Sequence, residues 1–194
     1  MEQIDFFRYT IQQLELLSIQ YMLVGSYASG IHGESRQTRD IDIVLEMQTS
    51  QVDMFCASFR APTYYVSPQA VLEAIRKRFQ FNVVCNYTGD KVDFIFPRSD
   101  EWGLSQLSRR QRIKITPTLY SYVASPADVI VGKLWYFSEG SSEKHIRDIV
   151  SIMKTSQELF DFDDVGRWAS KLGYQSVWER CLNEYRLSKS EKGT

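Results

Sequence analysis

The sequence predicts an α+β fold: a mixed sheet flanked by helices, followed by a C-terminal helical bundle. Three observations carry this expectation. Runs such as Asp40-Ile41-Asp42-Ile43-Val44-Leu45-Glu46-Met47 and Lys91-Val92-Asp93-Phe94-Ile95-Phe96 alternate with period two, as half-buried strands do. Between them lie stretches whose apolar residues recur three and four apart, as on amphipathic helices. Beyond Ser125 every apolar pattern is helical. The chain therefore reads as an α/β domain over residues 1–124, a helical region over 125–187 and a frayed tail over 188–194.

In chain order, Phe6, Phe7, Ile11, Leu14, Leu16 and Leu17 give residues 2–19 a helical period. Tyr21-Met22-Leu23-Val24 is a short apolar strand, ended by Gly25-Ser26, and a second, short helix starts at Tyr27. After the 40–47 strand, Ser50 with Asp53 has the spacing of a capping box for a helix reaching Arg60. Ser67-Pro68 sets a cap before a proline at the first helical position and opens a helix through Arg78. Phe81-Asn82-Val83-Val84-Cys85 and the 91–96 strand form a hairpin around Tyr87-Thr88-Gly89-Asp90. Residues 112–116 and 119–123 supply a further strand or two. Ser125-Pro126-Ala127-Asp128 starts a helix that Gly140 stops, and three more helices follow near 142–154, 162–172 and 174–186.

Composition narrows the class of function. With 194 residues, 43% hydrophobic and 24% charged, the chain has enough apolar surface for its own core and is not disordered or fibrous. A net charge of -1 gives no global field toward nucleic acid or anionic membrane. The charge is uneven: residues 71–120 hold 9 bases against 5 acids, clustered in Arg76-Lys77-Arg78 and in Arg98, Arg109, Arg110, Arg112 and Lys114. That segment is either a set of solvated faces or a surface for phosphates. Three scattered cysteines and two histidines do not make a structural zinc site. No run approaches a membrane span and the N-terminus lacks a basic leader, so the expected location is the cytoplasm, with no membrane partner.

Asp40 and Asp42 are two apart on one strand, so they share a face about 6.5 Å apart, while Ile41, Ile43 and Leu45 anchor the other face. Two carboxylates this close repel unless a cation lies between them. Magnesium suits such a pair, because it takes oxygen ligands and is commonly shared between carboxylates and substrate phosphates. Gly25-Ser26 stands at a strand-to-helix turn, where glycine admits close backbone approach and helix amides attract anions. Asp93 alternates with Val92 and Phe94 and is the leading third acid, with Asp90 and Asp53 as competitors in a turn and in a helix first turn. His32 reads as a solvent-exposed loop residue, and Trp102, Trp135, Trp168 and Trp178 as core or helix-interface residues.

Together these residues resemble the nucleotidyltransferase superfamily of the DNA polymerase β fold: Leu23-Val24-Gly25-Ser26, then Asp40-Ile41-Asp42, then Val92-Asp93-Phe94. Arg36-Gln37-Thr38-Arg39 before the first acid, with Lys133-Leu134 and Arg147-Asp148 later, resembles bacterial minimal members related to the abortive-infection toxin group. The resemblance covers residues 20–155. It implies Asp40, Asp42 and Asp93 as metal-binding catalytic acids, and Gly25, Ser26, Arg39 and Lys133 as nucleotide-binding residues. It further implies magnesium or manganese, a nucleoside triphosphate substrate, and an acceptor hydroxyl on an RNA 3' end such as tRNA or on a protein side chain, with a cognate antitoxin as partner. Read from its own position, Lys133 is either a lysine whose stem covers core or a point charge for the triphosphate, oriented by Asp148. The other class is a non-catalytic binding module or antitoxin-like partner, which would have no use for repelling carboxylates on one face.

Overall fold

The computed structural model describes residues 3–35, 38 and 40–190. Among these, seven strands form one mixed sheet: β1 (Gln20–Leu23), β2 (Ile41–Glu46), β3 (Tyr64–Tyr65), β4 (Gln80–Cys85), β5 (Lys91–Ile95), β6 (Gln111–Thr116) and β7 (Leu119–Val123). Their spatial order is β3-β4-β5-β2-β1-β7-β6. Sequential strands form antiparallel pairs at β1–β2, β3–β4, β4–β5 and β6–β7, whereas β2–β5 and β1–β7 are parallel. The helices are α1 (Gln3–Leu16), α2 (Gly25–His32), α3 (Val52–Ser58), α4 (Pro68–Lys77), α5 (Glu101–Ser105), α6 (Pro126–Gly140), α7 (Glu143–Thr155), α8 (Phe162–Lys171) and α9 (Gln175–Ser190). This is the mixed sheet with flanking helices and later helices that the sequence predicts.

The chain forms two compact units, the first built from Met1–Tyr27 with Thr38–Ala124 and the second from Ala28–Gln37 with Ser125–Thr194. In the first, period two sends Ile41, Ile43, Leu45, Val92, Phe94, Phe81 and Val83 into the core. Phe55 of α3 meets Phe81 and Phe94 edge-on, with ring centroids 5.5 and 5.4 Å away, and those two rings stack on each other at 5.0 Å. Each such pair adds about 0.5–1.5 kcal/mol beyond its buried area. The α4 cap is as expected, with Ser67 Oγ accepting the Ala70 N–H at 3.2 Å.

In the second unit, Ser125 Oγ accepts the Asp128 N–H at 3.1 Å to start α6, and Gly140 ends it before Ser141 in the left-handed region. Ile130, Leu134, Ile146, Ile149, Met153, Val165, Ala169 and Cys181 are fully buried. Ser156 Oγ donates to the His32 carbonyl and the Glu34 N–H donates to Ser151 Oγ, both at 2.6 Å, which ties the stretch after α2 to the end of α7. Among the described residues no helix is long and apolar enough to cross a membrane.

Several local expectations are corrected. Leu16 is 75% exposed, because α1 ends there and Ser18 turns the chain at positive φ. The helix after β2 is introduced by Gln48 and Gln51, whose side-chain Oε1 accepts the Gln48 N–H at 2.9 Å, instead of by Ser50 and Asp53. α2 begins at Gly25 itself. His32 is buried at the end of α2 and is no exposed loop residue. α9 runs on through residues 188–190. β3 and α5 have too few residues to carry a period, so the sequence does not mark them.

Candidate active site

Five of the predicted site residues, Gly25, Ser26, Asp40, Asp42 and Asp93, lie in the first unit around β2. The parallel β2–β5 ladder pairs Asp42 with Asp93, so the two carboxylates project from neighbouring positions on the same face. Both are half-buried, while Asp40 is exposed just ahead of β2. Asp93 follows Asp42 by 51 positions, an interval that holds α3, β3, α4 and β4, and parallel pairing then brings the two together.

Gly25 closes the other side of Asp42. The Val24 N–H donates to the Asp42 carbonyl at 3.0 Å, and Gly25, at φ +61°, turns the chain from β1 into α2. A Cβ at position 25 would lie 2.0 Å from Asp42 Oδ2 and 2.8 Å from its Cγ. Only glycine lets the backbone come this near the carboxylate, and its backbone conformation is one that L-residues rarely adopt. Ser26 follows in the first turn of α2, half-buried.

Lys91 is the site residue that motif reasoning missed. It lies two residues before Asp93, hence on the same face, and its Nζ donates to Asp93 Oδ2 at 2.7 Å. The Lys91 pKa is raised, first by that hydrogen bond and then by the negative charge of Asp93, Asp40 and Asp42 acting against partial desolvation. The ammonium thus sits against Asp93, whose neighbour on the parallel strand is Asp42. The period-two argument that joined Asp40 to Asp42 would have found it. Asn82 is the Cα partner of Asp93 on β4 and is exposed, so it extends the row to a third strand; only the register reveals that.

The competing acids are accounted for elsewhere. Asp90 belongs to the β4–β5 turn, its N–H donating to Thr88 Oγ1 at 3.3 Å and its carbonyl accepting the Cys85 N–H at 2.8 Å. Asp53 occupies the first turn of α3. Arg39 lies outside the described residues, as does Arg36. Lys133 belongs to the second unit, where it is buried and its Nζ pairs with Asp148 Oδ2 at 2.6 Å. Asp148 is thus not a solvated surface acid; it holds the Lys133 ammonium, while Arg147 is exposed.

Part of the basic middle segment is paired with acids within the first unit, and part lies over aromatic rings. Lys77 pairs with Glu73, Arg78 makes a two-pronged contact with Glu46, and Arg98 pairs with Asp100. Arg110 lies over the Tyr122 ring, and Arg112 and Lys114 over Tyr120.

No three histidine, cysteine, aspartate or glutamate side chains among the described residues are gathered as an ion cage. The donor chemistry nevertheless fits a hard divalent cation. Asp42 and Asp93 offer carboxylate oxygens from neighbouring strands, Asp40 stands next along the chain, and the glycine contact leaves no room for a side chain against Asp42.

The mixed sheet with its flanking helices has the fold of solved nucleotidyltransferases. The antibiotic-resistance factor ANT(2'')-Ia superposes in its solution structure with a TM-score of 0.54 at 9% identity, covering 95% of this chain and 97% of that one. A crystal structure of ANT(2'')-Ia in complex with adenylyl-2''-tobramycin gives 0.59 at 12% identity, covering 91% and 98%. An antigenic nucleotidyltransferase-like protein from Paracoccidioides brasiliensis gives 0.53 at 19% identity, covering 93% of each chain. No family model and no curated protein sequence matches the chain.

Proposed function

We propose that this protein is a metal-dependent nucleotidyltransferase that moves a nucleoside monophosphate from a nucleoside triphosphate to an acceptor hydroxyl. The observation that carries the reading is the pairing of Asp42 with Asp93 on parallel strands, with the Gly25 backbone packed against the Asp42 carboxylate. Asp40, Asp42 and Asp93 would hold magnesium or manganese. Bound there, the metal would neutralise triphosphate charge and lower the pKa of the acceptor hydroxyl.

The residues of the chain divide the remaining work. Asp93 assists removal of the acceptor proton. The Gly25-Ser26 turn receives phosphate oxygens through backbone N–H groups at the start of α2 and through the Ser26 hydroxyl. Arg39 and Lys133 enter the proposal through the resemblance of their motifs. Three free cysteines, two of them buried, suit the cytoplasm as the place of action.

The acceptor classes to be tested are an RNA 3' end such as tRNA, a protein side chain and, from the adenylylated tobramycin bound by ANT(2'')-Ia, an aminoglycoside hydroxyl. A toxin-type role with a cognate antitoxin enters the proposal through the resemblance of the motifs around Asp40, Lys133 and Arg147. The experiment is incubation with each labelled nucleoside triphosphate, magnesium or manganese, and each acceptor class in turn, alongside Asp42→Asn. Metal-dependent label transfer that the variant loses supports the proposal. Absence of transfer to every acceptor, or equal transfer by Asp42→Asn, would overturn it, the former in favour of a non-catalytic binding module.

A further inference from the structure

We propose that Lys91 is an internal counter-ion of the carboxylate cluster, holding Asp93 in position until a divalent cation displaces it; the inference rests on the metal-binding reading of Asp40, Asp42 and Asp93. Its geometric basis is specific. Lys91 and Asp93 are on one face of β5, and the Nζ–Oδ2 distance of 2.7 Å is that of a full charge-assisted hydrogen bond. The parallel ladder then sets Asp42 beside Asp93, so one ammonium lies where carboxylates converge from two strands.

Carboxylates held this close repel, and a cluster with no cation would spread apart. A lysine supplies the missing charge as a compact ammonium on a flexible stem, which can leave by rotation alone. The exposures fit such an exchange. The Lys91 side chain is 44% exposed and has water to move into, whereas that of Asp93 is 17% exposed and stays in the sheet. A structural ion pair needs neither this asymmetry nor the neighbouring acids. Lys91 is thus a positioning residue, acting through Asp93 and competing with the metal for the same oxygen.

The consequence is measurable without turnover. Removing the ammonium frees the Asp93 oxygen and removes a positive charge from the cation's surroundings. In calorimetric titration with manganese chloride, Lys91→Met and Lys91→Gln should bind about tenfold more tightly than wild type. Lys91→Arg, which keeps the charge, should bind within about twofold of wild type on the same reasoning. Without metal, Lys91→Met should melt lower than wild type, and manganese should raise its melting temperature by more.

Unchanged or weaker manganese affinity in both Lys91→Met and Lys91→Gln, each with a wild-type circular dichroism spectrum, would overturn the counter-ion role. Asp42→Asn separates this from the reading beneath it. If wild type binds manganese and Asp42→Asn does not, the metal site stands whatever Lys91 does. Equal binding by wild type and Asp42→Asn, or none by either, removes the metal site and the Lys91 inference with it.

Discussion

A Cβ at position 25 would stand 2.0 Å from Asp42 Oδ2, so the identity of residue 25 and the position of the Asp42 carboxylate are one structural fact. Gly25→Ala forces the Asp42 side chain to rotate away and places an L-residue at φ +61°. The left-handed backbone costs about 1–2 kcal/mol, within what a domain of this size tolerates. Gly25→Ala should therefore fold, with a small loss of stability in urea, yet lose metal-dependent nucleotide binding at least tenfold by calorimetry. Wild-type nucleotide affinity in this variant would mean that Asp42 is not part of the site.

Asp93 and Asp90 are three residues apart and have different surroundings. Asp93→Asn should keep nucleotide binding through Asp40 and Asp42 but slow the chemical step by roughly 10²-fold, the scale of a lost general base. Asp90→Asn changes a turn side chain and should retain full single-turnover rates. The reverse pattern would move the third acid out of the β5 row.

Lys133→Met leaves the Asp148 carboxylate, 12% exposed, beside an apolar side chain. Taking one partner from a buried pair costs on the order of 3 kcal/mol, because the remaining charge keeps its desolvation penalty. Equilibrium urea unfolding should register that loss, and Lys133→Met combined with Asp148→Leu should recover most of it. A loss in the double variant equal to the sum of the singles would deny the coupling.

Tyr21 gives the alkaline behaviour. Its phenol is buried, donates to Glu15 Oε1 at 3.1 Å and accepts from Ser121 Oγ at 3.4 Å. Burial is the main reason its pKa is pushed up to about 12 from an ordinary value of 10.0. Above pH 10 the unfolded chain loses this proton while the folded chain keeps it, so the folded state binds more protons and stability falls with rising pH. The contribution is fully present below pH 10 and disappears as pH passes about 12. Unfolding free energies measured from pH 9 upward should decline less steeply in Tyr21→Phe than in wild type. An identical slope would exclude Tyr21 as a contributor.

Much of the architecture was legible in the sequence because it is set locally. Period two marked β2 and β5, a cap followed by proline marked the starts of α4 and α6, and Gly140 marked the end of α6. The helical start at Gln48–Gln51 is hidden in the sequence because glutamine is an uncommon cap, and β3 and α5 leave no mark because two and five residues show no period. Leu16 looked like core by spacing, but the helix ends beneath it.

What the sequence determined about the site was the kind of residue at each position and the face it takes within its own strand: Asp40 with Asp42, Asp93 opposite Val92 and Phe94, and a glycine where β1 turns into a helix. Tertiary structure alone decided which faces meet. Strand order β5-β2-β1 brings Asp93 beside Asp42 and Asp42 against Gly25, and a shift of one residue in the β2–β5 register would turn Asp93 away from Asp42. Lys91 stood in plain view two residues from Asp93, but its meaning depended on acids from another strand. Lys133 and Asp148 likewise became a pair only through the packing of α6 on α7. A side chain's charge is written in the chain, whereas the field it sits in is made by residues distant in sequence, and folding supplies that field.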